Sequence, residues 1–147
     1  MMPSFMDAAI AEARKAAAEG EVPVGCVIVR NQQIIARAAN RTLIDQDPTA
    51  HAEMLAIRAA AAAIGCERLP TCDLYATLEP CAMCAAAISF ARIRRLYYGA
   101  PDPKGGGVEN GVRFYASPSC HHRPEIYGGI AEQVVAELLK DFFRSRR

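Results

Sequence analysis

The sequence of 147 residues predicts an α/β layered domain, a mixed sheet with helices on both faces. Three observations predict it. An apolar, valine-rich run at Val22–Val29 is followed by a turn residue, Asn31, and a second run at Gln33–Ala39, as in a hairpin. Beyond the hairpin, short apolar runs alternate with helix-like stretches, which is the pattern of parallel strands joined by helical crossovers. Amphipathic segments stand at both ends of the chain.

Ser4 to about Glu19 reads as the first helix. Phe5, Met6, Ala9, Ile10, Ala13 and Ala17 form its apolar stripe, and Gly20 stops it. The two hairpin strands follow, then a polar loop, Arg41–Thr49. Asp47-Pro48-Thr49 opens a helix from about Ala50 to Ala63, ended by Gly65. Asp73–Leu78 is a third strand. Pro80 sits at a helix start, where its missing N–H costs nothing, and that helix runs to about Ala91. Arg94–Gly99 is a fourth strand. Gly105-Gly106-Gly107 reads as a mobile loop. Glu125–Tyr127 is a short fifth strand. The last helix spans about Ile130 to Phe143, with Ile130, Val134, Leu138 and Phe142 on one face. No repeat, linker or composition shift divides the chain, so residues 1–147 are expected to form one domain.

Composition narrows the function. Apolar residues make up 52%, enough for a core, and no apolar run approaches the ~20 residues that span a bilayer. The start, Met1 to Asp7, lacks the basic and apolar regions of a signal peptide. A net charge of +1 argues against indiscriminate nucleic-acid binding but leaves room for local basic patches. Arg92, Arg94, Arg95 and Lys104 form one such cluster, and Arg144, Arg146 and Arg147 another; a solvated surface and cations at a helix end are the plainer reading of each. Six cysteines without an export signal favour metal or core roles over disulfides, and a cytoplasmic location is expected.

The chemistry is concentrated in His51-Ala52-Glu53 and Pro80-Cys81-Ala82-Met83-Cys84, each opening an expected helix. Cys81 and Cys84 share a helix face, and the first-turn dipole favours their thiolates. Two thiolates and one imidazole are ordinary zinc ligands, and three protein ligands leave a fourth position for water. Zinc lowers the pKa of such a water to about 7. Attack on a ring carbon also needs proton traffic, for which Glu53 is the candidate. One point of geometry is awkward: residues two apart do not share a helix face, so His51 and Glu53 converge only if the helix points its N-terminus at the metal. Singly, these residues read as a cap, a dipole partner, a redox pair or buried thiols. Those readings become poor when both motifs stand at helix starts with a strand between them.

His-x-Glu followed by Pro-Cys-x-x-Cys is the signature of the zinc nucleobase deaminases. Within them the chain resembles the bacterial tRNA-specific adenosine deaminases. The matching segments are Glu21–Gly25, Pro48–Glu53, Thr77–Cys84, Tyr98–Lys104 and Asp141–Arg144, and the resemblance covers the chain from about residue 5 to its end. It implies a three-layer α/β/α cytidine-deaminase-like domain built on a mixed five-stranded sheet. It implies one zinc per subunit held by His51, Cys81 and Cys84, with Glu53 as proton shuttle. It implies hydrolysis of adenosine to inosine at the first (wobble) anticodon position of tRNA, by a homodimer. Substrate contacts carried over from the family fall on Asn40, Ala50, Asp102, Lys104, His122, Arg123 and Arg144. Read alone, Asn40 is a strand-end cap and Asp102 a turn residue. Cys26 stands where the family has alanine, and a small buried hydrophobe is its default role. Two rivals stay open: a zinc deaminase of a free base, nucleoside or nucleotide, such as cytosine, guanine or deoxycytidylate, and a structural-zinc RNA-binding module with a fourth protein ligand, Cys26 being the candidate.

Overall fold

The computed structural model describes residues 4–146; Met1, Met2, Pro3 and Arg147 lie outside the described residues. Helix α1 (Phe5–Ala18) starts at a capping box in which Ser4 Oγ accepts from the Asp7 amide and the Asp7 carboxylate accepts from the Ser4 amide. Strands β1 (Gly25–Arg30) and β2 (Gln33–Ala39) make the hairpin. Helix α2 (Ala52–Ile64), β3 (Cys72–Leu78), α3 (Ala82–Phe90), β4 (Arg95–Ala100), β5 (Glu125–Tyr127) and α4 (Glu132–Arg144) follow. The sheet order is β2-β1-β3-β4-β5. β1 is antiparallel to both β2 and β3, while β3, β4 and β5 are parallel. The expected mixed five-stranded sheet is therefore present.

Alternation along β1 assigns the two faces. Cys26 and Ile28 point to the layer of α2 and α3, with Leu74, Ala76, Ile88 and Tyr98. Val27 and Val29 point to α1 and α4, with Met6, Ala9, Ile10 and Val135. Small side chains let the helices lie close. Ala52, Ala56 and Ala60 form the buried stripe of α2. Gly25 lets α1 approach, because a Cβ there would stand 2.6 Å from the Ala13 nitrogen.

β2, β3 and β4 all run the same way, so their C-terminal ends lie at one edge of the sheet, beside the residues that enter β1. In α/β sheets that edge is where ligands bind. Asn40 follows β2, Glu79-Pro80-Cys81 follows β3, and Asp102 follows β4.

Three expectations need correction. Val22–Val24 precede β1 instead of forming its first residues. The inward seam of α4 is Val135 with Leu139, while Val134 is exposed; Ile130 lies before the helix, so spacing counted from it selects the wrong face. Gly105–Gly107 is not a loose loop: Gly106 and Gly107 are buried, and the Gly107 amide donates to the Pro80 carbonyl at 2.8 Å.

Candidate active site

Two helix N-termini converge at that edge. His51 is the N-cap of α2, with ψ 150°, and Cys81 is the N-cap of α3, with ψ 176°. Each cap residue is extended backbone, so its side chain is not bound by the helical face rule. This resolves the awkward spacing: His51 lies just outside the helix and Glu53 in its first turn. Cys84 occupies the first turn of α3.

His51 Nδ1 lies 3.6 Å from Cys81 Sγ and 3.5 Å from Cys84 Sγ. Tetrahedral bonds of about 2.3 Å to sulfur and about 2.05 Å to nitrogen would give an N···S edge of about 3.6 Å. The three ligand atoms thus fit one zinc ion, and they are the metal-binding group found among the described residues. Cys84 hydrogen bonding, with His51 beside it, pulls the Cys81 thiol down to about 4. The same contact with Cys81, together with burial, pushes Cys84 up. Its hydrogen bond to Cys81 raises His51. These are three groups competing for protons, a competition that a divalent cation relieves by taking both sulfurs as thiolates.

Glu53 is buried at 3% exposure, and its Oε1 has no hydrogen-bond partner among the described residues. Burial pushes its carboxyl up to about 7, and the negative Cys81 sulfur adds to that rise. A buried carboxyl is costly without a partner, and near neutrality it can both take and give a proton. Beside it lies a cavity of about 340 Å³, lined by His51, Glu53, Cys81, Asn40, Asp102 and the pre-strand Val22 and Val24, among others. Cys26 is not part of the metal group. It is fully buried in the core, where burial raises its thiol.

Asn40 lines the cavity through long hydrogen bonds, from its Nδ2 to the Val22 carbonyl at 3.5 Å and from the Thr42 amide to its Oδ1 at 3.4 Å. Asp102 also lines the cavity, and Lys104 near it is exposed. Ala50 is buried and joins the Arg41 amide through its carbonyl, outside the cavity lining. The His122 ring meets the Ile93 carbonyl at 2.7 Å and so supports the loop after β4. Arg123 is exposed, as is Arg144, which lies 3.8 Å from Asp141. The Arg146 guanidinium lies 4.5 Å from the Phe142 ring centroid. Arg147 is outside the described residues.

Two buried carboxylates had no role in the sequence reading. Glu21 accepts from the Leu43 and Ile44 amides at 3.1 and 2.8 Å, fixing the loop after β2. Glu79 does the same for the segment after β4. Their partners are 22 or more residues away and are mostly backbone groups, so no local pattern marks them.

Residues 2–100 match the family described as the cytidine and deoxycytidylate deaminase zinc-binding region. A tRNA-specific adenosine deaminase from Agrobacterium fabrum is 61% identical over 97% of this chain and 94% of its own length. One from Rickettsia bellii is 47% identical over 97% of this chain and 99% of its own. A solved structure from studies of A-to-I editing by tRNA:A34 deaminases at the wobble position of transfer RNA superposes with a TM-score of 0.90 at 61% identity. That likeness covers 92% of this chain and 98% of the other.

Proposed function

Because the chain belongs to the zinc-binding cytidine and deoxycytidylate deaminase family, and within it to the tRNA-specific adenosine deaminases, we infer that it converts adenosine to inosine at the wobble position of a tRNA anticodon. The observation that carries the chemistry is the pairing of a three-ligand zinc site with a buried Glu53 carboxyl, its Oε1 without a partner among the described residues, at one cavity. His51, Cys81 and Cys84 would hold the ion, which when bound supplies a water activated near neutral pH. Glu53 takes the proton that water gives up and delivers it to N1 of the purine as oxygen adds at C6. It then takes the proton of the newly added C6 hydroxyl and passes it to the exocyclic amine, which leaves as ammonia as the C6–N bond breaks and the C6 carbonyl forms. The products are inosine and ammonia, and no oxidant is needed. Asn40 is assigned to hydrogen bonding an acceptor nitrogen of the ring. Its two protein contacts are long enough to exchange for that bond at little cost.

The small-molecule rival shares this chemistry but gives Lys104, Arg123 and the terminal arginines no task. In the RNA reading they meet phosphates on either side of a base flipped from the single-stranded anticodon loop. The structural-zinc rival needs a fourth protein ligand, and the metal group among the described residues has three. In this reading residues 1–147 act as one catalytic domain within a homodimer, a state supported by the exposed apolar side chains Phe90 and Val112. A cytoplasmic location is supported by six free thiols. No helix of the described residues is long and apolar enough to cross a membrane.

Incubating the protein with bulk tRNA and measuring nucleosides by mass spectrometry should show inosine gained at the expense of adenosine; no gain would overturn the reading. Asn40→Ala should keep zinc and lose roughly tenfold in turnover, the worth of one well-placed hydrogen bond; unchanged turnover would return Asn40 to a loop-capping role. Removing residues 144–147 should weaken tRNA binding and reduce the salt slope by about 0.7 per lost phosphate contact on a single strand. Titrations at two salt concentrations check this, and equal affinities would leave those arginines as helix-end cations.

A further inference from the structure

Glu79 joins two parts of the site that lie far apart in the chain. It is buried at 2% exposure and directly precedes Pro80-Cys81. Its Oε2 accepts from the amides of Val108, Glu109 and Asn110 at 3.0, 2.9 and 3.0 Å. Its Oε1 accepts from the Asp102 amide at 2.9 Å and from Asn110 Nδ2 at 2.7 Å. The fit is tight. A Cβ at Gly106 would collide with the carboxylate, and one at Gly107 would stand 2.6 Å from the Ala82 nitrogen, at the start of the helix that carries Cys84.

We propose that Glu79 is a positioning residue for the deamination: it straps the Asp102–Asn110 segment to the turn bearing Cys81, so that the Asp102 wall of the cavity is already formed before substrate arrives. The inference rests on the deaminase reading above. It follows from the segment's composition. Three glycines in a row have much backbone freedom, and between β4 and β5 the chain has only one short 3-10 turn, Phe114–Ala116, as regular structure. Without an anchor this wall would have to be ordered by the substrate, and that ordering would weaken binding. A carboxylate suits the task because five donors converge on two acceptor-only oxygens. Glutamine keeps the shape but places an NH₂ among those donors. Glu21, holding Leu43 and Ile44, is the matching anchor for the Asn40 side of the cavity and serves as the control.

The test uses Glu79→Gln and Glu21→Gln in the zinc-loaded full chain. Amide hydrogen exchange, zinc content and steady-state kinetics are measured, the last on an anticodon stem-loop with adenosine at the wobble position. Glu79→Gln should keep about one zinc per chain and speed exchange at residues 108–110 roughly tenfold or more. KM should rise roughly tenfold, by a larger factor than any fall in kcat, because the lost organisation is made good once substrate is bound. Glu21→Gln should speed exchange at residues 43–44 and leave residues 108–110 protected. Unchanged exchange at 108–110 would overturn the proposal. So would faster exchange with unaltered KM, or a fall in kcat that tracks lost zinc. If Glu79→Gln does not fold, Asn110→Ala removes one of the five donors and must show the same pattern at smaller size, or the proposal falls. If the wild-type protein leaves the stem-loop untouched, the RNA reading fails by itself, and KM is read on whichever free nucleobase compound it deaminates.

Discussion

Glu53→Ala is expected to retain about one zinc per chain and the wild-type fold while losing at least 10²–10⁴ of its turnover, roughly the worth of general acid–base catalysis, with more lost because one carboxyl serves two transfers. The fold should survive because the side chain contributes no hydrogen bond through Oε1 and its removal relieves a buried carboxyl. The metal should stay because the group proposed to hold it, His51, Cys81 and Cys84, does not include Glu53. Elemental analysis, a thermal melt and single-turnover deamination on the same preparation check this. Loss of zinc would make Glu53 a ligand. Full turnover with zinc bound would remove it from the mechanism.

The second large effect concerns the ligands. Cys81→Ser, Cys84→Ser and His51→Ala should each reduce zinc from about one per chain to a small fraction and abolish deamination, because a site with two of three donors loses its charge match and geometry. Melting temperature should fall as well, since an ion bound only by the folded state stabilises that state by mass action. Chelation of the wild-type protein should reproduce both changes, and added zinc should reverse them. The helices that bear the ligands are also secured by packing that involves no ligand, α2 by its alanine stripe and α3 by Ala85 and Ile88, so the metal-free protein should refold around returning zinc. Wild-type protein with full activity and no detectable zinc would contradict the assignment.

Much of this was legible in the sequence, and the gaps have physical causes. The hairpin, the parallel β3 and β4 and the two ligand-bearing helices follow from apolar period and helix-start residues. β1 starts later than its apolar run because Val22 and Val24 are apolar to wall the cavity, and Pro23 between them has no N–H for a ladder. His51 and Glu53 looked incompatible only while both were placed in one helix; with His51 as the N-cap the face rule no longer separates them, and both line one cavity. The glycine triplet read as mobile because its constraint, the Glu79 carboxylate, lies 26 to 28 residues upstream. Glu21 and Glu79 were invisible for the same reason: a carboxylate that binds distant backbone amides has no partner residue type to search for. His122 shows the converse, a residue selected by resemblance whose ring is engaged by the Ile93 carbonyl.

The most direct test of the central claim is a comparison of substrates with one preparation of zinc-loaded enzyme. Inosine or uridine formation is followed on an anticodon stem-loop with A at the wobble position, on the same loop with C there, and on free adenosine, while free cytidine, cytosine, guanine and deoxycytidylate are assayed for ammonia release. Binding energy from the flanking nucleotides should offset the cost of unstacking the target and orient C6 toward the reacting water. Rapid inosine formation is expected in the A-containing loop, with little reaction at C in that position and little with any free compound. Rapid deamination of a free compound with the A-containing loop untouched would contradict it.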